Sequence, residues 1–449
     1  MTLATAKGQK YLADFNALQD GATSDGAAWL TPLRRHAWSV FQELGFPTHR
    51  RGNELWKYTN LRPLDRATFA YPHEGAAGEL TLAELKRHAP WSDEWTTLVF
   101  VDGHYSASLS RVPRDAAGVR AVSLAQAAGP QRAALEGALG TAAAVDGNPF
   151  VALNTAFLGD GAFVDVEPGR EANAAVHLLF VTTAGGPPRV TYPRTLVRVG
   201  AAAGVTLIES YIGLGAKERF TDPVTEVLLE EGARVEHYRL VAENENTFHI
   251  GTTRVRLAAD TTFTTVSFAT GPAIGRNDLH AQLDGPGAEC RLEGLYLTTN
   301  DQHLDNHIST THATPHGTSH QFYKGILSGN SRAVFSGRVL VERDAQKTVA
   351  DQKDLNLLLS KGAEIDTKPS LEIYADDVKC SHGATAGHTD PEALYYLQTR
   401  GINLKTARAM LIRGFAAEIV EKFKPAALRE YVEKATDRAI PALEAAAHR

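Results

Sequence analysis

Residues 371–385 of this chain read LEIYADDVKCSHGAT, and the pattern at the start of this stretch decides the fold class. Leu371, Ile373 and Ala375 alternate with more polar residues, so in a β-strand they would share one face. The same alternation occurs in other short segments between about residues 150 and 385, around Val255 and Leu257, Val266 and Phe268, and Val339 and Val341. The middle of the chain is therefore predicted to consist of many short strands.

Turn-forming residues separate these segments at nearly regular intervals, at 200–201, 232–233, 258–260, 287–288 and 317–318. The intervals are about 26 to 32 residues, and no helix of ten residues fits between the strands. A repeat of this length, made of strands and tight turns, is typical of a β-solenoid. The pattern alone also allows an antiparallel sandwich or barrel with irregular loops.

Helical patterns lie on both sides of this strand-rich region. Residues 7–19 and 29–41 place apolar side chains at helical spacing, and Gly45 and Pro47 end the second segment. We therefore predict three regions, namely a mixed but mainly helical region at 1–145, a β core at 146–387 and a helical region at 388–449.

The helical pattern of the last region starts just after Gly387. Asp390, Pro391 and Glu392 combine a capping residue, a proline at the first helical position and an early acid, and Gly401 suits the end of that helix. A second apolar stripe follows, at Leu404, Ala407, Met410, Leu411, Phe415 and Ile419. This stripe either packs on the β core or forms a docking site for another chain.

Composition limits the class of protein. The 449 residues are 43% hydrophobic and 22% charged, with a net charge of −6, as in soluble globular proteins. This charge offers no electrostatic reason to expect nucleic acid as a partner. No apolar run approaches the ~20 residues that span a bilayer, and the first residues lack the apolar core of a signal peptide. With only two cysteines, we expect a cytoplasmic protein with reduced thiols and no membrane partner.

Cys380 and His382 form the sharpest local feature. On a strand, residues two apart point to the same side, so the thiol and the imidazole could bind one metal, or the histidine could favour the thiolate. Two ligands are only half of a tetrahedral site, and the other half would have to come from elsewhere, such as a partner chain. The alternative is a buried thiol beside a structural histidine.

A second set of histidines is less convincing as a metal site. Its segment is rich in threonine and contains Pro315 and Gly317, so it is a poor helix, and in strands and turns its histidines would scatter over different faces. The set comprises His303, His307, His312, His316 and His320. Cys290 shares a strand face with Leu292 and is predicted to be a small buried hydrophobe.

Several catalytic motifs are absent from the 449 residues. The sequence has no G-x-x-x-x-G-K-[ST] phosphate loop, so this chain is not expected to hydrolyse ATP itself. It has no G-x-S-x-G, H-E-x-x-H or C-x-x-C motif either. None of these motifs therefore gives a basis for assigning an enzymatic activity to the chain.

The stretch quoted first is also part of a longer resemblance. Residues 345–387, which include LEIYADDVKCSHGAT, closely resemble the SufB/SufD family of iron–sulfur cluster assembly proteins. Upstream, ELWKYTNLRPL, NPFVALNTAF, DNHISTTH and SHQFYKGIL are similar to segments of the same family, so the resemblance spans nearly the whole chain. Cys380, and Gly383 after His382, are most like the SufD branch.

The resemblance implies a mainly β fold, with a right-handed parallel β-helix core between N-terminal and C-terminal helical regions. It implies a scaffold subunit that pairs with a SufB-like subunit and docks a SufC-like ATPase. His382, assisted by Cys380, would then contribute to a site for a transient Fe–S cluster or iron, with no tightly bound cofactor in the isolated chain. Docking of the ATPase would use the C-terminal stripe, at Leu404, Met410, Leu411, Phe415 and Ile419.

Two other functions fit parts of the sequence. One is a purely structural stabiliser of the SufB-like subunit, without ligand residues. The other is a carbohydrate-active enzyme on a β-helix, against which the signal-free N-terminus counts. An isolated chain could also form a homodimer.

Overall fold

The computed structural model describes residues 4–21, 28–49, 53–73, 80–113, 118–127 and 130–446. The α-helices in this part of the chain are α1 (Ala4–Gly21), α2 (Thr31–Leu44), α3 (Arg62–Arg66), α4 (Leu82–His88), α5 (Pro130–Ala138), α6 (Pro149–Ala156), α7 (Pro391–Thr399), α8 (Leu404–Val420) and α9 (Ala426–Ala446). The first eleven strands are β1 (Thr96–Val101), β2 (His104–Tyr105), β3 (Val119–Ser123), β4 (Ala162–Val166), β5 (Val176–Thr182), β6 (Arg189–Thr191), β7 (Arg194–Val199), β8 (Gly204–Gly213), β9 (Arg219–Thr221), β10 (Val224–Leu229) and β11 (Arg234–Ala242). The remaining strands are β12 (Thr247–Leu257), β13 (Thr262–Thr270), β14 (Ile274–Leu283), β15 (Glu289–Thr298), β16 (His303–His312), β17 (Thr318–Leu327), β18 (Arg332–Val341), β19 (Val349–Leu358), β20 (Glu364–Ile373) and β21 (Lys379–Gly387).

Parallel pairing joins most of these strands into two long sheets. The first sheet follows the order β2-β1-β5-β8-β11-β13-β15-β17-β19-β21, and the second follows β20-β18-β16-β14-β12-β10-β7-β4-β3. From β10 onward, successive strands alternate between the two sheets, so the chain winds into a parallel β-solenoid of about eight turns. The predicted solenoid is confirmed, and the antiparallel sandwich and barrel are wrong.

One corner of the solenoid is a column of residues in the left-handed backbone region. The φ angle is positive at Ala202, Gly232, Asp260, Gly287, His316 and Lys347, at intervals of 27 to 31 residues. Each turn bonds to the next: the N–H of Gly232 donates to the carbonyl of Ala259 and that of Asp260 to the carbonyl of Pro286, both at 2.9 Å. Glycine adopts this conformation without a Cβ clash, which explains Gly232 and Gly287. The column confirms the predicted turn repeat.

The parallel register of the strands aligns the inward-facing side chains in rows along the solenoid axis. Val205, Val235, Phe263 and Cys290 stack in one such row, and all are buried. Burying a side chain of this size contributes roughly 1.5–3 kcal/mol, so these rows supply much of the core stability. Cys290 is thus a small buried hydrophobe, as predicted.

The N-terminal helices cover part of the solenoid. The predicted helices at 7–19 and 29–41 correspond to α1 and α2, and α2 ends at Gly45, whose φ is 59°. Phe15 stacks on Trp38 with ring centroids 4.5 Å apart, within an aromatic cluster that reaches the strands of the second sheet. The N-terminal region is therefore anchored to the solenoid by aromatic packing.

The C-terminal helices lie on the outer face of the first sheet. α7 begins after Asp390, whose carboxylate accepts the N–H of Glu392 at 2.9 Å, as the capping pattern predicts. α8 and α9 share a hydrophobic cluster with outward-facing residues of this sheet. Lys324 of β17 donates to the carbonyl of Phe415 at 3.0 Å and pairs with Glu418 at 2.6 Å. Packing of these helices on the β core is confirmed.

No helix in the described part of the chain has the length and apolarity needed to cross a membrane.

Candidate functional site

Cys380 and His382 lie on β21, the last strand of the first sheet. Cys380 is in register with Ala350 and His382 with Gln352, and both of these β19 residues are buried inside the solenoid. The thiol and the imidazole therefore occupy neighbouring inward-facing positions on one strand face, which confirms the predicted strand geometry. The sequence could not show that this strand would be the last of its sheet.

The end of the solenoid that carries β21 is open. Every residue of β21 is exposed except the half-buried Cys380, and no residue of β20 is buried. A Cβ atom added at Gly383 or Gly387 would meet nothing within 4 Å. This end therefore presents two uncovered terminal strands, one from each sheet.

The Cys380 thiol contacts a small apolar cluster at this end, formed by Val339, Val341, Ala345, Ala350 and Ala375. Burial raises the pKa of this thiol, and a hydrogen bond from the backbone of Ala350 offsets the rise only in part. The idea that His382 favours the thiolate is therefore not supported by the geometry of the chain alone. In the isolated chain the Cys380 thiol is therefore protonated at neutral pH. It would have to lose this proton to bind a metal.

The two side chains remain half of a metal site within this chain. Across the described ranges, no group of three or more His, Cys, Asp or Glu side chains is arranged to hold a metal ion. A thiol and an imidazole are both suitable ligands for iron, as the Cys and His ligation of Fe–S clusters shows. The arrangement can thus supply two ligands to a metal or cluster whose other ligands come from a second molecule.

The five histidines at 303–320 are spread over different faces. His303 and His307 face outward from β16, where His303 Nε2 lies 2.9 Å from Thr59 Oγ1 and His307 Nε2 lies 3.5 Å from Asp305 Oδ1. Burial lowers the pKa of both imidazoles. The others lie elsewhere: His312 inside the solenoid, His316 in a corner turn and His320 on β17. The predicted scatter is confirmed, and His303 contacts the N-terminal segment through Thr59.

The two cysteines should differ in reactivity. We expect an alkylating reagent to modify Cys380 in the folded protein and Cys290 only after unfolding, because Cys290 is fully buried and Cys380 is not. Burial raises the pKa of both thiols, so labelling of Cys380 should be slow at neutral pH and faster as the pH rises. Peptide mass spectrometry measures this, with Cys380→Ala as the control. Rapid labelling of Cys290 in the folded protein would contradict the structure.

The predicted docking stripe on the C-terminal helices divides into exposed and buried residues. Leu404 is 39% and Met410 43% exposed, whereas Leu411 and Phe415 are half-buried. Ile419 is fully buried against the first sheet, so the prediction that it belongs to the docking surface is wrong. The sequence did not single out Tyr395 and Tyr396 of α7, which are 71% and 57% exposed.

A set of buried polar residues on β19 was also missed. Gln352, Asp354 and Asn356 alternate along the strand, and all three face the interior one coil below the open end. The signal was present, because the segment 349–358 has polar residues in both phases of the alternation. In sequence, such a strand cannot be distinguished from one with a solvated face.

Comparison with known proteins supports the resemblance over most of the chain. A family model described as SUF system FeS cluster assembly, SufBD core domain, matches residues 180–415, and one described as SufBD protein N-terminal region matches residues 5–178. An iron–sulfur cluster assembly SufBD family protein of Synechocystis sp. is 33% identical over 430 residues, 93% of each chain. The iron–sulfur cluster assembly protein SufD of Escherichia coli is 32% identical over 390 residues, 86% of this chain and 88% of the relative. The chain therefore belongs to the SufBD family of iron–sulfur cluster assembly proteins and is SufD-like.

Proposed function

We propose that this chain is a non-catalytic scaffold subunit whose open end pairs with a SufB-like subunit, and that a nascent Fe–S cluster is built at that interface. The observation that carries this proposal is the open end itself. There β20 and β21 end their sheets side by side, and β21 carries Cys380 and His382. Edge strands present unpaired N–H and C=O groups, which makes such an end a template for another chain.

Cys380 and His382 are proposed as this subunit's ligands to the cluster, which is cargo rather than a resident cofactor. Iron in such clusters is bound by thiolates, and imidazole can replace a thiolate. The two side chains share one strand face, and the SufB-like partner would supply the remaining ligands. The empty space around Gly383 leaves room for the partner to approach this strand.

A SufC-like ATPase is proposed to dock on α7 and the first turns of α8. No residue of α7 is buried, and Tyr395, Tyr396, Leu404 and Met410 form an exposed aromatic and apolar surface. Tyrosine is enriched among residues that dominate binding energy at interfaces. ATP hydrolysis by a partner fits the absence of a phosphate loop from this sequence.

Substitutions on the proposed docking surface should weaken ATPase binding. We expect Tyr395→Ala and Met410→Glu each to raise the Kd for a SufC-like ATPase by roughly tenfold, as for residues at the centre of an interface. Leu44→Glu is the matched control, because Leu44 is as exposed as Met410, at 43%, but lies at the end of α2. Calorimetry measures the affinities. Unchanged affinity in both variants would remove α7 and α8 from the docking site.

Co-expression with SufB-like and SufC-like subunits tests the proposal as a whole. A complex of the three chains should be recovered, and it should assemble a cluster under anaerobic conditions only with His382 in place. In the alternative function, as a purely structural stabiliser, the Cys380→Ala and His382→Ala complexes would form and assemble clusters normally.

A further inference from the structure

The interior of the last coils contains polar rows instead of apolar ones. His382 of β21 stacks over Gln352 of β19 and Gln321 of β17, and the next row contains Ala384, Asp354 and Tyr323. Beside it, Ala386 lies over Asn356 and Gly325. These rows form what we call the end chamber, comprising Gln321, Tyr323, Gln352, Asp354 and Asn356 beneath β21.

Hydrogen bonding within the end chamber is incomplete. Asp354 Oδ2 accepts from the amide of Asn356 at 2.7 Å, whereas Asp354 Oδ1 is buried near the Thr367 hydroxyl of β20 without a hydrogen bond of normal geometry. Gln352 donates to Gln321 at 2.8 Å, while its own Oε1 and Nε2 of Gln321 remain unpaired. Buried polar atoms of this kind are usually satisfied by ordered water. The unpaired atoms belong to one carboxyl group, two amides and the phenol of Tyr323, and ordered water in the chamber would supply their partners.

Glycines allow aromatic rings to line the end chamber. A Cβ atom at Gly325 would lie 2.4 Å from the Tyr296 ring, and one at Gly294 would lie 2.5 Å from the Tyr323 ring. The Tyr296 hydroxyl donates to Asn356 Oδ1 at 2.6 Å, so this ring leans along the axis towards β19. The phenols thus border the chamber on the side away from the open end.

Only small side chains cover the end chamber on the other side. Ala384 lies over Asp354 and Ala386 over Asn356, both alanines are exposed, and β21 is the last strand of its sheet. His382 occupies the neighbouring inward position, over Gln352. Asp354 is therefore fully buried yet only one strand away from the proposed assembly site.

From this arrangement we infer that Asp354 is the proton acceptor of the proposed assembly site, reached through the hydrated end chamber. The inference rests on the proposed function. Sulfide and thiol ligands bind iron in deprotonated form, so cluster assembly releases protons. A proton from the sulfur donor would pass through chamber water to the Asp354 carboxylate, which becomes a carboxylic acid and later releases the proton to solvent. No electron is transferred in this step.

The electrostatics of Asp354 suit this role. Burial raises its pKa to about 7, although hydrogen bonds from Asn356 and Thr367 act in the opposite direction. The titratable groups that face it are the phenols of Tyr296 and Tyr323 from the coils below, while from β21 Ala384 lies over Asp354 and the imidazole of His382 lies over the neighbouring Gln352. The pKa of both phenols is raised by burial, so neither ionises near neutral pH. Asp354 can therefore exchange a proton near neutral pH.

The isolated full chain gives a test that does not depend on cluster assembly. Infrared spectra should show a protonated carboxyl band that titrates near pH 7 and is missing from Asp354→Asn. Because the pKa of Asp354 is raised in the folded state, the wild-type protein loses stability as the pH rises from the unfolded pKa of about 4 to the folded pKa, and it loses no more above that value. The denaturation midpoint of Asp354→Asn should therefore exceed that of the wild type by an amount that grows from about pH 4 to pH 7 and then stays constant. The control Asp284→Asn removes a half-exposed carboxyl paired with Arg256 and should show neither effect.

The complex then tests the role. The wild-type rate of cluster assembly should rise in a step between pH 6 and 8, roughly the range around the Asp354 pKa. Asp354→Asn should lack this step. Above it, the variant should assemble clusters more slowly than the wild type by on the order of tenfold. An unchanged pH profile in Asp354→Asn, or no titrating carboxyl in the isolated chain, would overturn the inference. Normal assembly by His382→Ala would be a different result, because it overturns the proposed function itself.

Discussion

Replacing Arg194 with methionine is expected to lower the free energy of unfolding by about 3–5 kcal/mol. Arg194 of β7 and Glu226 of β10 are both fully buried, with Arg194 Nη2 2.5 Å from Glu226 Oε1. Glu226 also accepts the N–H groups of Gly140, Ala142 and Ala143 at 2.9 to 3.0 Å. Without the guanidinium, a buried carboxylate would lose its only charged partner in the described part of the chain, and α6 would lose the hydrogen bonds that Arg194 donates to Asn154 and Thr155.

Chemical denaturation followed by circular dichroism measures this effect. Arg256→Met is the matched control, since Arg256 pairs with Asp284 at 2.8 Å but is half-exposed, and exposed pairs contribute about 0–1 kcal/mol. Adding Glu226→Gln to Arg194→Met should restore part of the loss, because the uncompensated charge is removed. A loss for Arg194→Met no larger than that of Arg256→Met would show that the buried pair does not hold the N-terminal region on the second sheet.

The fold class could be predicted from the sequence, but the alternation of apolar and polar residues did not by itself give the pairing of the strands. Alternation like that of Leu371, Ile373 and Ala375 arises in parallel and antiparallel sheets alike, since it reports only a buried and an exposed face. The turn spacing is what distinguishes a solenoid, because turns one coil apart must stack, as Gly232 and Asp260 do. The region boundaries at 145 and 387 stay predictions.

The candidate site could be predicted in part. That Cys380 and His382 share a face follows from strand geometry, whereas their position at an open end depends on where the coils stop, which no local pattern encodes. Met410 and Ile419 are both apolar residues of the α8 stripe, yet only Ile419 is buried. The surface on which a helix packs decides which of its apolar residues are buried. Asp354 was missed because an inward polar residue resembles an outward one in sequence.

The second large effect is expected at His382. Loss of a residue that hydrogen-bonds to a metal ligand typically lowers metal affinity or activity by about 10- to 100-fold, and loss of the ligand itself should cost at least as much. The His382→Ala complex should therefore assemble less than about a tenth of the cluster that the wild type assembles. The side chain is exposed, so the fold and the pairing of the subunits should remain intact. Ser381→Ala is the matched control, because this neighbour on β21 faces the other way and bonds to Asp351.

The central claim is that the open end of this solenoid contributes His382 to a cluster shared with a SufB-like subunit. Its most direct test is anaerobic iron and sulfide analysis of the complex co-purified with SufB-like and SufC-like chains, for wild type, Ser381→Ala and His382→Ala at equal subunit stoichiometry. The account predicts iron and sulfide in the first two complexes and a loss of at least about tenfold in the His382→Ala complex. Equal iron and sulfide in all three complexes would contradict it.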